Sequence, residues 1–247
     1  MAKLSGPWVI KGKMADGTAY ATKDGNIFRT NGTLDKQRLA TAPEFDMLRK
    51  NNSEFGVSAS SGKAVRNSLK SCAADISGDA TYLLTKYMRF LCNKSTLARG
   101  LRIPLNVDYD EKKVSLFKRK LAEVCRKAVT STITAGSVVV GLNPVVSDII
   151  PPAVRLSPGS ILVYRVGATA GIFDLASLKS EEVSGVTGPY VPVTSVGIFN
   201  ETIDISAVAV TGDFVQVAVF IEFAEQLNGF TYPVGGGRYY EVVGQLV

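Results

Sequence analysis

The sequence predicts an α+β protein: an N-terminal β-meander arm and a helical region, followed by an antiparallel β-sandwich or barrel. Three observations predict this. Two Asp-Gly steps, Asp16-Gly17 and Asp24-Gly25, stand close together near the start. Apolar residues then recur at helical spacing as far as Ala128. Beyond residue 129 that spacing gives way to β-branched runs separated by Gly and Pro. The expected division is a hairpin arm over 1–32, a mainly helical basic region over 33–128 and an all-β domain over 129–247, cut near 129–136.

The arm comes first. Trp8-Val9-Ile10, Thr18–Thr22 and Asn26–Arg29 alternate with the two Asp-Gly turns, whose chemistry supplies the positive φ of a type I′ hairpin. Three short strands seldom stand alone, so this piece is expected to pack on something.

Helices follow. Thr41 with Glu44 three residues on has capping-box spacing, and Pro43 falls in the first turn, where its missing N–H costs nothing. Phe45, Leu48, Phe55, Val65, Leu69 and Cys72 share one face. The small residues Gly56, Ala59, Ser60 and Gly62 allow either a close helix pair or a break near Gly62. A second helix is expected from Asp79, carrying Leu83, Leu84, Tyr87, Phe90 and Leu91. Leu101–Leu105 reads as extended because Pro104 restricts the residue before it. A third, amphipathic helix is expected over 110–128, with Asp108 or Asp110 as cap and Val114, Phe117, Leu121, Val124 and Ala128 as its apolar stripe. Lys112, Lys113, Lys118, Arg119, Lys120, Arg126 and Lys127 cover much of the rest.

The expected strands are Ser137–Leu142, Ile161–Val166, Val191–Phe199, Thr202–Val210, Asp213–Ala224, Phe230–Val234 and Tyr239–Leu246. The clearest alternation is Val215, Val217, Val219, Ile221 and Phe223. Asn228-Gly229 marks a hairpin turn. Short strands with such turns favour a sandwich or barrel.

Charge divides along the same line. Residues 1–128 hold 24 of the 28 bases and 12 of the 22 acids, a net of +12; residues 129–247 have a net of −6. Such a split speaks to solubility, partners and assembly, not to fold. The chain has no histidine, so neither a Ser-His-Asp triad nor a Cys-His pair can form. Cys72, Cys92 and Cys125 fit no zinc or redox spacing and read as small buried side chains in a reducing compartment. Glu181-Glu182 reads as a solvated loop, and Asp108, Asp110 and Glu111 as a helix cap. Gly235-Gly236-Gly237 lacks the Gly-Lys-Ser/Thr that would place a lysine on phosphate, and reads as a flexible hairpin loop. Ser61-Gly62-Lys63 is too short for a phosphate loop. The start lacks a secretory apolar run, and no window reaches the roughly 18–20 apolar residues of a membrane helix.

The segment 110–128 is therefore the functional candidate. Its bases can neutralise phosphates, together with Arg99 and Arg102. Aromatics do not interleave with them as a stacking platform requires. The same bases can equally meet the acidic half of another copy.

One resemblance joins these features. Lys11-Gly12, Asp16-Gly17, Thr22-Lys23-Asp24-Gly25 and Arg29 are followed by Pro43-Glu44-Phe45, then by Arg49-Lys50-Asn51-Asn52-Ser53-Glu54-Phe55-Gly56, Gly62-Lys63 and Arg66. This resembles the N-terminal region of an uncharacterised family of Bacteroidota and Bacteroidota-phage proteins, with a similar hairpin, an Arg-Glu-Asn-x-x-Glu-Phe-Gly stretch and a Gly-Lys-x-x-Arg. Lys50 stands where the pattern has Glu. Gln226–Val234 is similar to the family's last hairpin, while the middle of the chain matches weakly. The resemblance implies a bacterial or phage setting and brings no catalytic residues. The expectation is thus a structural, self-assembling protein and not an enzyme, most of all a virion subunit. It is expected in a virion or the bacterial cytoplasm, as a homo-oligomer, with no cofactor, metal, membrane or small-molecule substrate. A nucleic-acid-binding accessory protein is the alternative.

Overall fold

The computed structural model describes residues 2–4, 11–14, 17–22, 25–30, 36–127, 129–134, 136–183, 185–195 and 197–247. The chain divides into two compact units, residues 1–49 and 50–247. The expected cut near 129–136 is not where it divides, because the helices and the large sheet share one hydrophobic core.

The first unit holds a four-stranded antiparallel sheet. Its strands are β1 (Ala2–Leu4), β2 (Gly12–Met14), β3 (Gly17–Thr22) and β4 (Gly25–Thr30), in the order β1-β4-β3-β2. β3 and β4 fall where the sequence places strands; β1 was not anticipated. Trp8-Val9-Ile10, Asp16 and Asp24 lie outside the described residues. Helix α1 (Lys36–Thr41) follows. Thr41 ends it and does not cap the next, because its hydroxyl donates to the Gln37 carbonyl (2.8 Å). Glu44 is drawn instead to the Arg38 guanidinium (2.9 Å). A 3-10 turn at Pro43–Phe45 leads into α2 (Asp46–Asn67).

In the second unit α2 runs unbroken through Gly62, where α3 (Ala80–Lys94) comes close. A Cβ on Gly62 would sit 3.2 Å from the Leu84 Cβ. Of the two options that small residues allowed, the close pair is the one realised. α3 begins where expected and turns Leu84, Met88 and Leu91 inward.

The remaining strands are β5 (Thr130–Ile133), β6 (Ser137–Leu142), β7 (Ile161–Asp174), β8 (Lys179–Glu182), β9 (Val186–Thr187), β10 (Val191–Pro192), β11 (Phe199–Asp204), β12 (Phe214–Leu227) and β13 (Phe230–Leu246). They form two antiparallel sheets. The larger runs β10-β7-β12-β13, with β8 and β9 also on β7; the smaller runs β11-β6-β5. Alternate side chains of the large sheet face opposite ways. Val215, Val217, Val219, Ile221 and Phe223 join Val138, Val140, Leu142 and Ile203 of the small sheet in one core. Phe214, Ala218, Phe220 and Tyr240 face the helices and join Val65, Leu84, Met88 and Phe117 in a second. The α+β class and the sandwich-like arrangement are as the sequence predicts, with helices covering the outer face of the larger sheet.

Several strand limits differ. Among the described residues of Val191–Phe199, Val191–Pro192 and Phe199 are strand, and Thr202–Val210 is strand only to Asp204. Phe230–Val234 and Tyr239–Leu246 are one strand. Pairing passes from Glu222↔Arg238 to Phe223↔Val234 and leaves Gly235–Gly237 as a bulge. All three glycines have positive φ, which side chains resist. The triplet is thus a bulge within a strand; the hairpin turn is at Asn228-Gly229, both with positive φ.

Candidate functional site

The segment 110–127 is not a helix. It makes two short 3-10 turns, Glu111–Lys113 and Leu121–Glu123, joined by extended chain. Its apolar residues are nevertheless buried as expected: Val114, Phe117, Leu121 and Val124, with Leu116 and Cys125 besides. Ala128 lies outside the described residues. Backbone pairing explains the difference. Lys118 N donates to the Asp75 carbonyl (3.1 Å), Ser77 N to Leu116 (2.8 Å) and Tyr240 N to Arg119 (3.0 Å). Lys120 pairs in parallel with Tyr240. The chain thereby covers a stretch of the β13 edge that would otherwise expose unpaired groups. Phe117 also stacks on Tyr240 with centroids 4.0 Å apart. These tertiary bonds outweigh a local helix preference worth tenths of a kcal/mol per residue. Asp110 does cap, but it caps a 3-10 turn, accepting from Lys112 N (3.0 Å).

The segment and β13 enclose a cleft of about 450 Å³. Five of the seven candidate bases line it: Lys112, Arg119, Lys120, Arg126 and Lys127. Two acids, Glu111 and Glu241, line it too, so its formal balance is +3. Lys113 and Lys118 do not line it. Lys118 donates to the Ala74 carbonyl (2.8 Å), and Lys113 lies 4.0 Å from Asp110.

The lining bases differ in freedom. The Arg119 guanidinium lies over the Tyr239 ring (5.6 Å to the centroid) and in the hollow left by the glycine bulge. A Cβ on Gly236 would come 2.3 Å from its Nη2, so a side chain there would displace the guanidinium, while the positive φ itself favours glycine. Lys127 donates to the Asn143 carbonyl (2.8 Å). Lys120 and Arg126 are exposed, and their head groups find no partner among the described residues. Beside the cleft, Tyr240 donates to Asp75 (2.9 Å); burial, then Cys72 and that carboxylate, hold its pKa far above the ordinary value.

The cleft is suited to holding negative charge. Its thiol, Cys125, is buried, and burial pushes its pKa up against a weak bond to the Lys127 carbonyl. A protonated thiol is a poor nucleophile. Cys72 and Cys92 are buried as well, as the sequence reading holds. Among the described residues no three metal-type side chains converge. No described helix is long and apolar enough to cross a membrane.

Arg99 and Arg102 lie elsewhere. Arg99 donates to Asn51 (2.8 Å), and Arg102 lies 3.8 Å from the buried Glu54 carboxylate. Glu54 also accepts from Gly100 N (2.8 Å), and Ser53 donates to the Gly100 carbonyl (3.1 Å). The Arg-Lys-Asn-Asn-Ser-Glu-Phe-Gly stretch is thus the part of α2 that ties down the loop after α3. Farther along, Gly62 meets Leu84 and Arg66 bonds to Thr81.

A larger hollow of about 960 Å³ opens at the C-terminal end of β7, lined by Asp174, Glu181, Lys179, Asp213 and neighbouring hydroxyls. Sequence reasoning missed it because its walls are turns brought together by the sheet. Asp174 there serves its own turn, accepting from Ala176 N and Ser177 N (each 3.0 Å). The chain matches no family model, no curated protein and no solved structure.

Proposed function

We propose that this protein is a structural, self-assembling subunit, of a virion or other particle, in a Bacteroidota or phage setting. One observation carries the reading. Among the described side chains of the N-terminal sheet only Ala19 and Asn26 are buried, and Thr18, Ile27 and Phe28 are half-buried. A small sheet without a core is marginal in water. Covering it with a neighbouring copy would supply the missing burial. The setting rests on the resemblance of residues 11–66 and 226–234 to the Bacteroidota family. The test is the mass of the full chain at high concentration and moderate salt, by light scattering and negative-stain imaging. Discrete oligomers or particles support the reading, and a monomer under all conditions overturns it.

The basic cleft favours a second reading, a nucleic-acid-binding accessory protein. Under it, Lys120→Glu with Arg126→Glu weakens binding to any DNA or RNA and lowers the salt slope by roughly 2. Absence of binding at low salt ends that alternative.

A further inference from the structure

We propose that the free edge of β11 in one copy pairs with the free edge of β13 in the next, at the mouth of the basic cleft, to form a head-to-tail interface. This deepens the assembly reading and rests on it.

The backbone indicates which groups are available. Tyr240 N points away from β12, since it bonds to the Arg119 carbonyl. By the two-residue period, Val242, Gly244 and Leu246 present their N–H and C=O the same way. Among the described residues those N–H groups find no partner. On β11, Ile205 N bonds inward to Gly136, so the odd positions serve β6. Asn200, Thr202 and Asp204 therefore point their backbone groups outward, again with no partner for the N–H among the described residues. Residues 200–202 are all exposed.

Edges of this kind are normally blunted by Pro, Lys or a bulge. The first half of β13 follows that rule, with Pro233, the glycine bulge and the covering 118–121 chain. The half from Val242 onward has no Pro, Lys or bulge, and neither does β11.

Charge selects the pairing. β11 carries Glu201 and Asp204 and no base. Val242 lines the cleft beside the unpartnered Lys120 and Arg126. β5, the other end strand of the small sheet, carries no charge to meet them. Pairing β13 with β13 sets two basic clefts together, and pairing β11 with β11 sets acids beside acids; like charges across an interface are disfavoured. An antiparallel register with Asp204 opposite Val242 sets Thr202 opposite Gly244 and Asn200 opposite Leu246, with the acid at the basic end. Such a contact uses two different surfaces, so it propagates into a ring or filament.

The experiment uses two full-length variants. One is Glu201→Lys with Asp204→Lys, which spoils the β11 edge. The other is Lys120→Glu with Arg126→Glu, which spoils the β13 edge. Each alone is expected to raise the apparent Kd of self-association at least ~tenfold. Mixed, they are expected to assemble again, because the unaltered edges of the two variants meet at one contact and the reversed charges are complementary at the other. Thr202→Pro serves as a second β11 variant. It removes only an outward N–H, which an edge strand tolerates, so its circular dichroism stays native while association falls. Wild-type-like assembly by all three variants overturns the proposal and leaves the assembly reading standing, as would a mixture that stays monomeric while the wild type assembles. A monomeric wild type overturns both. Loss of nucleic-acid binding with unchanged assembly hands the cleft to the alternative reading and overturns this one.

Discussion

β12 and β3 are both antiparallel strands flanked by a partner on each side, β7 and β13 for one, β2 and β4 for the other. In β12 every residue from Phe214 to Glu225 is buried; in β3 only Gly17 and Ala19 are. The ladders are equivalent in kind, and each hydrogen bond contributes only about 1 kcal/mol net once water is counted. What separates the strands is what lies above and below. β12 has the small sheet on one face and helices on the other. Pairing draws the chain into a sheet, while burial makes the sheet stable.

The largest test of this contrast is Gly171→Ala on β7. A Cβ there would sit 1.8 Å from the Ser68 carbonyl oxygen, a backbone atom that cannot swing aside. The helix layer rests directly on the sheet at this point. The substitution is expected to cost more than ~3 kcal/mol or to prevent folding, read from a denaturant melt. A wild-type midpoint would mean that the helices do not sit on this face.

Phe223→Ala comes next. Phe223 is fully buried between the two sheets, near Tyr164 and Tyr239. Its loss is expected to cost about 3–5 kcal/mol. Thr22→Ala in β3 removes one exposed bond, to the Gly25 carbonyl, and is expected to cost about 0.5 kcal/mol or less. Similar losses from both would break the comparison.

Gln216 tests a polar version of the same burial. It is fully buried in β12, and its Nε2 donates to the Val65 carbonyl (2.8 Å) and to Ser68. Gln216→Leu keeps the bulk and removes both bonds, while the Val65 carbonyl keeps the Ser68 hydroxyl (2.8 Å), so the expected cost is about 1 kcal/mol. An unchanged midpoint would show that these bonds contribute nothing to the contact between α2 and the sheet.

The same contrast explains what the sequence made legible. Val215 to Phe223 alternates cleanly because one face meets an all-apolar sheet. The two-residue period therefore located β12 to within a few residues. In 110–127 the apolar spacing correctly marked Val114, Phe117, Leu121 and Val124 as buried. It misread the backbone, because the edge of β13, more than a hundred residues later, supplies the hydrogen bonds. The bases were legible by type. Their gathering was not, since Lys112 and Arg126 reach one cleft only through the turns at Glu111–Lys113 and Leu121–Glu123. Glycines gave half of their meaning. Asn228-Gly229 announced its turn, but Gly235–Gly237 required the partner strand and Arg119 to be read as a bulge.

A pH-dependent effect concerns how each sheet closes its turns. The β3–β4 turn is held by Thr22 and Gly25, within its own hairpin. The turn after β7 is held by Asp174, which accepts from Ala176 N and Ser177 N and also from the buried Asn106 (3.3 Å). Asn106 in turn donates to the Gly212 carbonyl (2.7 Å) and accepts from Leu175 N (2.9 Å), so this turn is tied to the core. Burial pulls the Asp174 carboxyl pKa up, but the bonds from Ser177, Ala176 and Asn106 outweigh it, and the pKa lies below the ordinary value. A depressed carboxylate contributes stability that is complete above its unfolded pKa, about 3.9, and disappears as pH falls through the lower folded value. Asp174→Ala is therefore expected to cost about 1 kcal/mol at neutral pH. That deficit should shrink as the pH drops below about 4, where the wild type loses the same charge. A deficit that stayed constant to low pH would mean that the side chain acts by shape and not as a carboxylate, and the turn would then be no better anchored than the one in β3–β4.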